Sequence, residues 1–107
     1  MKNFQNSFKV SGYVGFSEVK AFPNASVCRF SISVSKYDKE TSERTTAFMS
    51  AESWKSNAES DQFQTLAKGN LVTLEGFFKP EEWTDKDGQK QSKIVLVATK
   101  FYPIEDK

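Results

Sequence analysis

Lys68-Gly-Asn-Leu-Val-Thr-Leu-Glu-Gly-Phe-Phe-Lys-Pro-Glu-Glu-Trp-Thr-Asp-Lys-Asp-Gly-Gln-Lys-Gln-Ser-Lys-Ile-Val-Leu-Val-Ala-Thr-Lys-Phe101 reads as a helix end, a strand, a long polar hairpin arm and a returning strand. Gly69 stands where a helix C-cap needs a positive φ. Leu71 to Leu74 is short, apolar and β-prone, and its expected partner is Ile94 to Val97. Asp87-Gly88 predicts the hairpin turn, because glycine tolerates the backbone such turns require. Trp83 lies just before that turn, with Phe77 and Phe78 at the base of the arm. A charged arm gives a tryptophan near its tip little core to enter. The ring is expected to meet something other than its own protein.

Upstream, Phe8, Val10, Gly12, Val14 and Phe16 share one parity, and Lys9, Ser11 and Tyr13 take the other. This predicts a half-buried strand over Ser7–Phe16. Gly12 and Gly15 mark a bend or bulge within it. Ser17–Ser26, with Pro23-Asn24, reads as a loop. Val27–Ser35 is the clearest strand: Cys28, Phe30, Ile32 and Val34 alternate with Arg29, Ser31, Ser33 and Ser35. Lys36 to Arg44 is polar and reads as a solvated hairpin tip.

Thr45–Trp54 predicts a third strand with two possible orientations. Either the small set Ala47, Met49 and Ala51 faces the core, or Phe48 and Trp54 do. Asn57–Lys68 follows as a short helix with Phe63, Leu66 and Ala67 as its apolar stripe. Ser60 or Asn57 is its expected cap.

The whole is 107 residues, which predicts one domain over 1–107. Hydrophobic residues make up 37% and charged residues 27%, a globular balance. Aromatics reach 14%, so rings must serve as core or as contact surface. Net charge is +1, well short of a strongly basic nucleic-acid binder. With one cysteine, Cys28, and no histidine, an internal disulfide, a Cys/His zinc site and histidine-based catalysis are all excluded. No cofactor, no metal and no enzymatic activity are expected. Met1–Val10 lacks the apolar run of a secretory signal, and no segment approaches a membrane span. The lone cysteine fits a reducing compartment.

Three strands, a helix and a hairpin in this length match an all-β fold: the five-stranded OB-fold Greek-key barrel with one short helix between strands 3 and 4. The residues also resemble the bacterial-type single-stranded DNA-binding proteins. Phe8-Lys9-Val10-Ser11-Gly12-Tyr13-Val14-Gly15 is similar to that family's first strand, and Val27–Val34 to its second. Leu66-Ala67-Lys68-Gly69-Asn70-Leu71-Val72-Thr73-Leu74-Glu75-Gly76 is the most specific portion, followed by Trp83-Thr84-Asp85-Lys86-Asp87-Gly88-Gln89.

The resemblance implies binding of single-stranded DNA with little sequence preference, during replication, recombination or repair. It implies base stacking on Phe48, Trp54 and Trp83, and on Tyr37 beyond the second strand, with Phe48 and Trp54 then facing outward. Arg29, Lys36, Lys55, Lys79, Lys86 and Lys90 are the candidate phosphate contacts. A homo-oligomer, tetramer or dimer, and a cytoplasmic, nucleoid-associated location are implied with it. Three departures stand out. Lys79-Pro80-Glu81-Glu82 precedes Trp83 where the family is usually basic, and Glu52 sits between the proposed rings. Phe48 stands where the family has tryptophan. The chain stops at Glu105-Asp106-Lys107, so the acidic tail that recruits replication or repair partners is not expected. The acidic residues keep a rival open: a protein-interaction module on the same barrel. RNA binding is a third reading, since stacking alone does not read the 2′-OH.

Overall fold

Inner-face alternation on Val27–Val34 becomes the wall of a closed barrel. The computed structural model describes residues 5–104. It contains β1 (Phe8–Ala21), β2 (Ser26–Asp38), β3 (Glu43–Lys55), a 3-10 helix (Asn57–Leu66), β4 (Leu71–Thr84) and β5 (Lys90–Pro103). The strands close in the order β1-β2-β3-β5-β4, the OB barrel that the element order predicts. Expectations for Glu105 to Lys107 lie outside the described residues.

β1 serves both halves of the barrel. Phe8–Tyr13 pairs with β4, and Val14–Ala21 pairs with β2. Closure comes from a short parallel contact, Ala51 to Leu96 and Glu52 to Val97. Two glycines make the tight curvature possible. A side chain on Gly12 would lie 1.9 Å from the Ser33 carbonyl oxygen, and one on Gly76 would lie 1.8 Å from that of Val97. Any Cβ at either place would push neighbouring strands apart.

Inside are Val14, Cys28, Phe30, Ile32, Val72, Leu74, Leu96 and Ala98, with Phe63 and Leu66 from the helix closing one end. Burying a side chain of this kind contributes roughly 1.5–3 kcal/mol. Buried polar groups are paired: the Ser53 hydroxyl donates to the Ala98 carbonyl at 2.8 Å. Cys28 is a free, buried thiol whose pKa is raised by burial, against the hydrogen bonds it makes.

Four expectations need correction. The strands are longer than the alternation suggests: β1 runs on to Ala21, and the β2–β3 ladder continues to Asp38–Glu43. Those extensions are wet on both faces, so they carry no alternation to read. The expected short helix is present as a 3-10 helix, so its apolar stripe differs from the one expected. Phe63 and Leu66, three apart, are buried, whereas Ala67 is exposed, as a repeat of three residues per turn requires. Neither expected cap forms. Asn57 instead ties down the β1–β2 loop through the Phe22 carbonyl at 2.8 Å, and Gly69 (φ 94°) sits in the turn after the helix. Finally, Leu71–Leu74 does not pair with Ile94–Val97. The turn at Asp85–Gln89 sets the register, so Ile94–Val97 faces Phe77–Pro80 and Leu74 meets Phe101.

Candidate nucleic-acid interface

The outer face of β1, β2 and β3 is built in rows across the ladder. Phe16, Ser31 and Ser50 form one, and Glu18, Arg29 and Glu52 the next. Lys20, Val27 and Trp54 form a third, and Ser33 with Phe48 a fourth. Phe48 is 63% exposed and Trp54 47%, so the small set Ala47, Met49 and Ala51 takes the opposite face. Only Ala51 of that set is fully buried, because the ribbon leaves the barrel beyond it. The Phe48 ring lies over Gly15, whose Cβ position is 2.7 Å from Phe48 Cε1. A side chain there would displace the ring. Tyr37, exposed, shares this face further along the ribbon, opposite Arg44.

The β4–β5 arm forms the facing wall. Lys79, Glu81 and Trp83 alternate onto one side, across from Val95, Lys93 and Gln91. Trp83 is 46% exposed, and the Lys93 ammonium lies 6.0 Å from its ring centroid. Between the walls is a cavity of about 390 Å³, bordered by Phe16, Arg29, Ser50, Glu52, Glu81 and Lys93. Arg29 borders this cavity. Phe48 and Trp54 flank it on the strand face of Ser50 and Glu52, Trp83 shares the arm face of Glu81, and Tyr37 lies further along the β2–β3 ribbon.

The acidic residues are not bare. Glu52 is buried, and both its oxygens are engaged: Oε2 accepts from Trp54 Nε1 at 2.6 Å, and Oε1 accepts from Lys79 Nζ at 3.2 Å. Lys79 also reaches Glu81 Oε2 at 3.2 Å. Hydrogen bonds to Glu52 and Glu81 raise the Lys79 pKa, so its charge is held in place. A buried carboxylate without such partners would be costly. The clamp thus does two things. It offsets the charge of Glu52 and Glu81, and it fixes the edge of the Trp54 indole, whose side chain is still 47% exposed.

The expected cations divide. Arg29 is exposed and makes no ion pair among the described residues. Lys79 is held in the carboxylate clamp. Lys55 lies over the Phe101 ring, 5.3 Å from its centroid, on the far side of β3 from Trp54. Lys36 pairs with Thr45 and takes the opposite face of the ribbon from Tyr37. Lys86 sits in the β4–β5 turn, and Lys90 pairs with Thr84 on the face away from Trp83.

Two rings escape the sequence reading. Phe22 stacks on Trp54 with centroids 5.9 Å apart, and Lys20 lies 5.3 Å from the Phe22 centroid. Phe16 shares the parity of Val14, yet the register shifts between them and turns it outward. Gly15 was the available signal, as a bulge marker. Trp83 owes its place to the turn beyond it. Asp85 Oδ1 accepts from the backbone N–H of Asp87 and of Gln89, both at 2.9 Å, and Oδ2 accepts from Gln91 at 3.0 Å. These bonds, that to Gln89 first, hold the Asp85 carboxyl below its ordinary pKa. The Thr-Asp-x-x-Gly motif is thus a knot that shapes the hairpin tip.

Comparison with known proteins places this geometry. The model of the single-strand binding protein family matches residues 5–104. The solved structure of the Plasmodium falciparum SSB complex with ssDNA superposes with a TM-score of 0.80 at 17% identity, covering 98% of this chain and 99% of that one. A small single-stranded DNA-binding protein from Streptomyces coelicolor gives a TM-score of 0.73 at 17% identity, covering 94% and 96%. At that identity the two structures speak for the fold. No curated protein sequence matches the chain.

Proposed function

The chain belongs to the single-strand binding protein family, and from that premise we propose that its groove holds unpaired DNA by stacking bases on Phe48, Trp54 and Trp83. The carrying observation is that these rings are 63%, 47% and 46% exposed, on the strand faces that also carry the cavity residues Ser50, Glu52 and Glu81. Each stack contributes roughly 1–3 kcal/mol and accepts any base, since every base has a π face. The protein acts by binding, protecting the strand during replication, recombination or repair. The ribbon-tip residues Tyr37 and Arg44 extend the path along β2–β3.

Internal pairing of Glu52 and Glu81 weakens the electrostatic case for a protein-interaction module, and Glu82 alternates onto the other face of β4 from Trp83. The pairing also removes Lys79 from the supply of phosphate contacts. The salt dependence is therefore shallow. With about three phosphates neutralised, the slope of log K against log salt is about −2. Tyr13, Phe77, Phe78 and Ile94 are exposed apolar side chains that the groove does not use, and they supply contact surface for a homo-oligomer.

Titration with oligo-dT at low salt, read by tryptophan fluorescence, tests the reading. Strong quenching is expected, because Trp54 and Trp83 are the only tryptophans. Unchanged fluorescence together with no comigration on a native gel would reject it.

A further inference from the structure

We infer that the cavity beside Phe16 is a base-selective pocket that takes a single guanine from the bound strand, an inference that rests on the strand-binding reading above. The irregularity at Gly15 turns Phe16 out of the core and leaves it 53% exposed on the cavity wall. Its ring has no aromatic or cationic partner among the described residues. It offers a free face to a base. The cavity measures about 390 Å³, at the small end of ligand sites, which suits one base and not a length of chain.

The polar groups around it are sorted by what they have left to give. Arg29 lies between Glu18 and Glu52 in the ladder yet pairs with neither. Both oxygens of Glu52 are engaged, by Trp54 and Lys79, and no ion pair to the guanidinium forms among the described residues. The donor fork of Arg29 is free, and its spacing fits the O6 and N7 acceptors of guanine. Glu81 is half satisfied. Oε2 bonds Lys79 at 3.2 Å, but Oε1 has only Lys93, at 3.8 Å, too long for a hydrogen bond. That oxygen is an acceptor for the N1–H and N2–H groups of the same base. Phe30, Ala51 and Val95 also line the cavity and give it an apolar floor. Polar contacts made against such a floor are strengthened by the loss of water. Guanine presents an acceptor pair on one edge and a donor pair on another. Thymine presents neither.

The strand-binding groove would then be non-selective along most of its length and selective at one position. The test uses the intact protein with end-labelled oligo-dT, and with the same oligonucleotide carrying one central dG, dC or dA. The dG strand is expected to bind about 5-fold tighter or more than all-dT, the weak end of a bidentate base contact. Arg29→Gln and Phe16→Ala are each expected to bring the dG strand back to the all-dT value. Thermal melts of both variants confirm that the exposed positions leave the fold intact. Equal binding of dG and all-dT strands by the wild type would overturn the pocket while leaving strand binding standing. Equal loss on both strands in Arg29→Gln would also overturn it, making Arg29 a phosphate contact. Failure to bind any strand would overturn both readings.

Discussion

Phe30 and Phe48 lie on paired neighbouring strands and meet opposite fates. Phe30 is 3% exposed in the barrel; Phe48 is 63% exposed above the groove. The ring is the same, and only strand parity separates the two. The inner wall spends its rings on cohesion. The outer wall keeps them available, and orders them by other means: the Phe48 ring over Gly15, the Trp54 indole hydrogen-bonded to Glu52. Stability and binding should therefore respond to different residues. The largest separation is between these two positions. Phe30→Ala is expected to cost roughly 3–5 kcal/mol in denaturant unfolding. Phe48→Ala, a surface change, should stay within about 0.5 kcal/mol. A Phe48→Ala protein that unfolds as readily as Phe30→Ala would erase the distinction.

Binding should show the converse. Trp83→Ala is expected to weaken oligo-dT binding by roughly 1–3 kcal/mol with the melting temperature nearly unchanged. Trp83 is the cleaner probe, because among the described residues its ring has no aromatic partner and one cation, Lys93, 6.0 Å from its centroid. Trp54→Ala should lose a similar amount, and in addition it strips Phe22 of its stacking partner and Glu52 of a donor. A fluorescence-anisotropy titration at one salt concentration compares them. Should both variants bind like wild type, the groove rings are ornament and the contrast with the core has no functional meaning.

Where burial is one-sided, the sequence speaks clearly. Val27–Val34 shows its inner face because Cys28, Phe30 and Ile32 are buried there, with Arg29 exposed between them. The order of elements, and with it the barrel, follows from segments of that kind. The groove is harder to see for three reasons. Phe16 has the parity of the core, and only the backbone irregularity beside it reverses its direction. Glu52 looks repulsive until Lys79, far along the chain on β4, is brought to 3.2 Å. Lys36 and Lys55 look like groove cations, yet each takes the other face of its strand, since charge carries no direction until the pairing is known. Ring placement at Trp54 and Trp83 was legible from the family motif and the hairpin. The electrostatics were not, because they depend on contacts between distant segments.

The clamp gives a smaller, sharper effect. Glu52→Gln keeps an acceptor for Trp54 Nε1 and loses the ion pair; Glu52→Ala loses both. If orientation of the indole matters, Glu52→Ala should weaken oligo-dT binding more than Glu52→Gln does. Each effect should be smaller than that of Trp54→Ala, which removes the ring itself. Identical affinities for the two variants would show that Glu52 acts through charge alone. The Trp54 indole N–H resonance provides a second readout, since only Glu52→Ala deprives that proton of its acceptor.

The smallest effect expected is at the tip of the β4–β5 arm, which is ordered with almost no burial. Asp85 gathers two backbone N–H groups and the Gln91 amide there. Its carboxyl pKa is lowered by those bonds, so the sign follows. The stabilisation is present in full above the ordinary aspartate value of about 3.9, and is lost as pH falls through the depressed folded value. Amide resonances of Asp87 and Gln89 should therefore titrate with a midpoint below 3.9 or so, while core amides such as that of Ile32 stay put. A midpoint at or above the ordinary value would mean the knot is open in solution. Trp83, just before the turn, would then have no fixed position on the groove wall. Asp85→Asn should shift the same turn amides without altering the melting temperature, because the tip is held by hydrogen bonds and the barrel by its buried rings.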